Sequence, residues 1–161
     1  DRLRSRGLGD VYKRQEINEL FEIINDVRNW PELHNYQDVK ILEKKKLLDG
    51  RRKIVFQVTG NKEEEPVEIW TSQRIIDVTN MCARGVRLEP MYPFRHWILD
   101  VVLSVEKEGT KMTWIQDFSM DKNSGFTEEA VEEMINKGSK KELQIFKEKI
   151  ESGIVSSKTE L

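Results

Sequence analysis

The segment Glu68-Ile69-Trp70-Thr71-Ser72-Gln73-Arg74 carries an indole, a hydroxyl and a guanidinium at every second position. On an extended strand side chains alternate between faces, so Trp70, Ser72 and Arg74 point the same way. They make a graded surface of apolar wall, neutral hydrogen bonder and cation. That suits a ligand with a flat body and several carbonyl oxygens. The same alternation also fits a solvent-facing strand with a surface Trp, because strand arginines are ordinarily exposed. Trp30, between Asn29 and Pro31, is either packing or a second aromatic wall. Arg87 lies in VRLEP, and Tyr92 and Phe94 bracket Pro93 just beyond it, where a structural turn is the plainer reading.

Other chemistries find less support. His34 and His96 have no carboxylate or cysteine at ligand spacing beside them, so neither suggests a metal site. No Gly-rich phosphate loop, Walker motif or Ser-His-Asp order stands out. Cys82 has no activating neighbour beyond Arg84, which points to an inert thiol rather than a nucleophile.

The elements that position these residues can be read from periodicity. Apolar residues at 17, 20, 21, 23 and 24 form a helical stripe over Glu16 to Asn25. Pro31 disfavours helix at Trp30 and suits the first turn of a new, short helix reaching Leu33. From Asp38 the period becomes two, with Val39 and Ile41 on one face. Asp49-Gly50 supplies a hairpin turn, and Arg51 to Thr59 returns with Ile54, Phe56 and Val58 aligned. Further strands follow over Val67 to Val78, Cys82 to Glu89, Trp97 to Val105 and Lys111 to Met120. Thr127, followed by Glu128 and Glu129, caps a long helix reaching about Ser152. Its broken apolar stripe is Val131, Met134, Ile135, Leu143, Ile145, Phe146 and Ile150, and Gly153 fits its stop. Helix, short helix, antiparallel strands and a terminal helix make an α+β pattern. A curved sheet wrapped around that helix can leave an internal cavity.

Composition sets the bounds. The chain has 161 residues, 37% hydrophobic and 35% charged, which fits one soluble, cytoplasmic domain with a single core. No apolar run approaches the ~20 residues of a membrane-spanning helix. One cysteine excludes an internal disulfide framework. A formal charge of −2 gives no reason to expect nucleic acid as a partner.

Residues 1–15, DRLRSRGLGDVYKRQ, look foreign to the rest. They carry Arg2, Arg4, Arg6, Lys13 and Arg14 against Asp1 and Asp10, with no initiator Met and no clear strand alternation. The codons GAT GTG TAT AAG AGA CAG would encode DVYKRQ, and that string resembles the transposon end used in sequencing-library adapters. We read 1–15 as a non-native, adapter-derived segment, with a natural basic tail as the alternative. On this reading a native N-terminal element is missing, and the present N-terminus leaves a sheet edge unpaired. The ligand-binding domain is then 16–152, and 153–161 is a polar, frayed tail.

Three segments, NDVRNWPELHNY (25–36), EIWTSQRIID (68–77) and VRLEPMYPFRHW (86–97), together resemble the polyketide aromatase/cyclase family. The resemblance covers about residues 16–150. It implies a START-like, helix-grip fold of the SRPBCC group: a curved antiparallel sheet around a long C-terminal helix, with an internal cavity. It implies that a poly-β-ketone tethered to an acyl carrier protein enters the cavity, closes a ring by aldol addition and loses water. By the same resemblance Arg74 is the main catalytic or anchoring residue, with Ser72 beside it. Trp30, Tyr36, Trp70 and Arg87 match substrate-contacting positions, Arg87 and Tyr36 less closely than the others, and Tyr92 joins them as a candidate contact.

The residues are consistent with that chemistry. Ring closure develops negative charge on an enolate and then an alkoxide. A guanidinium and a hydroxyl in a dry pocket stabilise such charge, by ~3–4 kcal/mol per well-placed donor. Orienting a flexible chain removes several kcal/mol more. Arginine is a poor proton donor, so Arg74 anchors and stabilises charge, and proton transfer is open between Tyr36, Tyr92 and water. No cofactor or metal is called for. The competing class is a non-catalytic START-like carrier of a lipid, quinone or other hydrophobic molecule, which would use the same cavity without an essential arginine.

Overall fold

The computed structural model describes residues 3–4, 8–61 and 63–156. Helix α1 (Ile17–Asn25) buries Leu20, Phe21, Ile23 and Ile24, the stripe its periodicity predicts. A 3-10 turn, Val27–Asn29, starts at Asp26, whose carboxylate accepts from the Arg28 N–H. It leads into the short helix α2 (Trp30–His34), with Pro31 in its first turn. Asn35, at φ 57°, ends α2 in the left-handed region that asparagine tolerates.

Strands β3 (Tyr36–Lys46), β4 (Arg52–Asn61), β5 (Ile69–Asp77), β6 (Cys82–Glu89), β7 (Phe94–Glu106) and β8 (Gly109–Met120) form a continuous antiparallel meander. Ile54, Phe56 and Val58 of β4 are buried together, as alternation requires. On β8 the inward set is Met112, Trp114, Gln116, Phe118 and Met120. Register shifts at Ile41/Glu43, Thr71/Ser72 and Phe94/His96 interrupt the ladders. Bulges of this kind bend a strand and increase its twist, and the sheet curves around α3 (Glu128–Glu151). This is the helix-grip, α+β architecture expected from the element order.

Helix α3 is capped by the Thr127 hydroxyl, which accepts from the Ala130 N–H. Its inward stripe is Val131, Ile135, Ser139, Leu143, Phe146 and Ile150. The helix binds the sheet through a buried hydrogen bond from Gln116 Nε2 to Ser139 Oγ, 2.7 Å. Met134, read as part of the stripe, is instead 62% exposed. It is one residue off the four-residue spacing that Val131 and Ile135 keep, so it turns away from the sheet.

The N-terminal residues differ from expectation. Leu3–Arg4 (β1) and Leu8–Lys13 (β2) both pair antiparallel with β8, so the edge expected to be open is occupied. The reason is physical: the outer row of β8 N–H and C=O groups needs partners, and LGDVYK is free of proline and can supply them. Tyr12 is fully buried in the core, and Asp10 meets Lys147 of α3 at 3.2 Å. The Lys13 N–H donates to Glu151 Oε1. At the other terminus Val155 is 5% exposed and packs in the main core, so Ile154 to Ser156 is not a wholly frayed stretch. The remainder of the expected tail, 157–161, lies outside the described residues.

Candidate active site

Between the sheet, α2 and α3 lies a cavity of about 150 Å³. An apolar cavity of that size can take a single aromatic ring. Its walls are mostly aromatic and aliphatic: Trp30, Phe56, Trp97, Leu99, Trp114 and Phe146. The polar groups are few and come from β5, β6 and the α2–β3 junction: Ser72, Arg74, Arg87, His34 and Tyr36. An apolar container with a few placed polar groups is the usual form of a small-molecule site.

Arg74 dominates the electrostatics. It is 3% exposed, and burial holds its pKa down at about 10. Its Nε donates to Asn25 Oδ1 at 2.8 Å, and its guanidinium carbon lies 5.1 Å from the centre of the Trp30 ring. Among the described residues it has no carboxylate partner. Buried charges are ordinarily paired, so a cation supported by one neutral amide and one π face is costly. Gly85 on the neighbouring strand leaves space beside it: a Cβ there would stand 3.7 Å from Arg74 Nη1.

Asn25 holds this arrangement and was invisible to the sequence reading. It is the last residue of α1, 4% exposed, and its Nδ2 donates to the Phe21 carbonyl at 2.9 Å. That bond orients the amide so that Oδ1 faces Arg74. Trp30 is fixed similarly, its Nε1 donating to the Ile24 carbonyl at 3.0 Å.

A second polar group lines the same cavity. Arg87 stacks its guanidinium on Trp70 at 5.0 Å, and its Nε donates to the Pro90 carbonyl. Burial lowers its pKa, while Glu68, 4.0 Å away, works the other way. Tyr36 meets Trp70 edge-on at 5.5 Å and stacks on His34 at 4.8 Å. Burial, then Glu142, pushes its phenol above the ordinary tyrosine range. His34 also touches Trp30 and Phe146 edge-on, and its Nδ1 lies 3.4 Å from Glu142 Oε1 on α3.

The cavity thus brings together Trp30, Tyr36, Trp70, Ser72, Arg74 and Arg87. It does not include Tyr92, which is 61% exposed in the β6–β7 connection. Its neighbour pattern explains this: Phe94, after Pro93, takes the inward place against Phe118 and Trp97. His34, set aside as an isolated histidine, is a cavity residue because α2 folds it over the aromatic cluster. A Ser-His-Asp contact exists elsewhere: His96 lies 2.7 Å from Ser119 Oγ and 2.9 Å from Asp117 Oδ1. Ser119 is fully buried, and none of the three lines the cavity. The Cys82 thiol is pushed up by partial burial and by Asp77 and Asp100, which disfavours the reactive thiolate. Among the described residues no three His, Cys, Asp or Glu side chains are placed to hold a metal ion.

No family model matches the chain. A candidate polyketide cyclase of Streptomyces cyaneus is 26% identical over 139 residues, covering 84% of this chain and 86% of that protein. The crystal structure of the Zhui aromatase/cyclase from Streptomyces sp. R1128 matches with a TM-score of 0.72 at 16% identity, over 96% of this chain and 95% of that one. A START superfamily protein from Mycobacterium smegmatis matches at 0.70 and 9% identity, over 94% and 97%. The fold is START-like. The resemblance to the polyketide aromatase/cyclase family, carried by the three sequence segments, is borne out by these matches. Among the described residues no helix is long and apolar enough to cross a membrane.

Proposed function

We propose that this protein is a polyketide cyclase that folds a poly-β-ketone in its cavity and promotes aldol ring closure followed by loss of water. The observation that carries the reading is Arg74, a buried guanidinium without a carboxylate partner among the described residues, facing an aromatic-walled cavity. Such a group is costly to a protein that merely needs to fold. It becomes useful where a ligand brings partial or full negative charge, as an enolate or alkoxide does. Ser72 lines the same cavity from two residues before on β5 and supplies a neutral donor. Trp30 and Trp70 provide flat surfaces for a chain becoming a planar ring. Arg87 and Tyr36 contact the same substrate further along the cavity. A cavity of one ring's size suits the first ring closed, with the rest of the chain, and its acyl carrier protein, outside. Similarity to the Streptomyces cyclases supports this reading.

The test is reconstitution. The protein is added to a ketosynthase and acyl carrier protein that release a reactive poly-β-ketone, and products are resolved by mass and ultraviolet absorption. A cyclase shifts the mixture toward one aromatic product, lighter by one water. A product profile unchanged by the protein contradicts the reading. The second reading, a non-catalytic carrier, is favoured by the apolar walls at Phe56, Trp97, Leu99, Trp114 and Phe146. It predicts tight binding of an apolar ligand that survives Arg74→Ala.

A further inference from the structure

We infer that His34 is the proton-transfer residue of this cavity, with Glu142 as the group that positions it. The inference deepens the cyclase reading and rests on it. His34 ends α2 and lines the cavity, with its side chain 11% exposed. It is held from three sides by rings, stacked on Tyr36 and edge-on to Trp30 and Phe146. Its Nδ1 faces Glu142 Oε1 at 3.4 Å, from a helix 108 residues away in sequence. A carboxylate oxygen accepts, so the tautomer that bonds Glu142 carries its proton on Nδ1. Nε2 is then the basic nitrogen, and among the described residues no protein group is bonded to it. A base oriented by a carboxylate through its other nitrogen is the arrangement general-base catalysis needs.

His34 and Arg74 both contact Trp30: the His34 ring centre is 4.9 Å from its ring, and the Arg74 guanidinium carbon 5.1 Å. A substrate lying on the indole meets both a cation and a base within the same cavity. The steps balance without another reagent. His34 Nε2 takes a proton from a methylene flanked by two carbonyls, and Arg74 holds the enolate oxygen. The enolate carbon forms the new bond to a ketone carbon, and the resulting alkoxide takes the proton back from the imidazolium. His34 then removes the second methylene proton, the carbon–oxygen bond breaks, and the hydroxide leaves as water with that proton. Tyr36, whose phenol is raised out of the titrating range, stays protonated as a donor beside it rather than acting as the base.

The experiment compares wild type, His34→Gln, His34→Ala and Glu142→Gln in the reconstituted assay, with binding of a stable aromatic polyketide followed by Trp fluorescence. His34→Gln is expected to bind within about threefold of wild type and to lose about 10²–10⁴-fold in turnover. Added imidazole should restore part of the rate of His34→Ala, which a packing role would not allow. Glu142→Gln should lower kcat about tenfold at unchanged KM, as expected of a positioning residue. Wild-type turnover in His34→Gln, with wild-type binding, overturns the inference and leaves the cyclase reading standing. A wild-type protein that forms no cyclised product overturns the cyclase reading and this inference with it.

Discussion

Asn25 Oδ1 accepts a hydrogen bond from Arg74 Nε at 2.8 Å, across 49 residues of sequence. This bond takes the one guanidinium nitrogen that lies along the side chain. Among the described residues the terminal nitrogens have no hydrogen-bond partner, and Arg74 lines the cavity. The last turn of α1 thereby sets the direction of a charge on β5, which links the helical layer to the site.

Asn25→Ala should lower stability by about 1.5–3 kcal/mol, the range for losing a bond to a charged group. It should also weaken ligand binding, because the guanidinium is no longer held. Asn25→Asp should weaken binding of a carbonyl-rich ligand more than Asn25→Ala, since a carboxylate at that position neutralises Arg74. Thermal melts and fluorescence titration check both. Unchanged binding in both variants would separate Asn25 from the site.

Burial of Arg74 predicts that function is held at the expense of stability. Burial holds its pKa well below the ordinary arginine value, at about 10, equivalent to about 3 kcal/mol against the charged folded state. The folded chain releases this proton more easily than the unfolded chain. The destabilisation is therefore full at neutral pH and is relieved only as pH rises above about 10. Arg74→Met should melt at the same temperature as wild type or a few degrees higher at pH 7. A fall of several degrees would show that the guanidinium supports the fold.

At the β2–β8 edge, the Tyr12 hydroxyl is buried and has no hydrogen-bond partner among the described residues. Burial, with Asp10 and Glu151 nearby, pushes its pKa far upward. Tyr12→Phe removes an unsatisfied polar atom and keeps the ring, so stability should hold or rise by about 1–3 kcal/mol. A clear loss in a thermal melt would mean that the hydroxyl is bonded after all. The adapter-derived reading of 1–15 is tested separately by resequencing the gene. A genomic frame encoding DVYKRQ in independent libraries would contradict it.

Two glycines should respond oppositely to alanine. A Cβ at Gly109 would collide with the Tyr12 backbone carbonyl, so Gly109→Ala must disturb the β2–β8 pairing and lower the melting temperature. Gly138 lies inside α3 with nothing within 4 Å of an added Cβ. Gly138→Ala should raise stability by up to about 1 kcal/mol through helix propensity. Equal effects of the two would contradict the placement of the N-terminal strand.

What could be read from the sequence was what is local. Alternation put Trp70, Ser72 and Arg74 on one face of β5, and all three line the cavity. The helical stripe of α1, the Asp49-Gly50 turn and the Thr127 cap follow from nearest-neighbour chemistry. Contacts that depend on how layers stack were not legible. Asn25 reaches Arg74, and His34 reaches Glu142, only because α1, α2 and α3 converge on the concave face. Tyr92 was legible as an aromatic near the right strand, but the connection turns it outward and gives Phe94 the inward place. The N-terminal strand was missed because its pairing answers the need of β8 rather than a pattern of its own.

The most direct test of the whole account is product formation by wild type, Arg74→Ala, Arg74→Lys and Ser72→Ala in the reconstituted system, with folding of each confirmed by thermal melt. Arg74→Ala should fold and lose nearly all cyclised aromatic product. Arg74→Lys should recover part of it, because an ammonium lacks the planar fork that spans two oxygens. Ser72→Ala should lose least, about 1 kcal/mol or several-fold in rate. Arg74→Ala cyclising as fast as wild type, with equal affinity for an aromatic polyketide, would contradict the account at its centre.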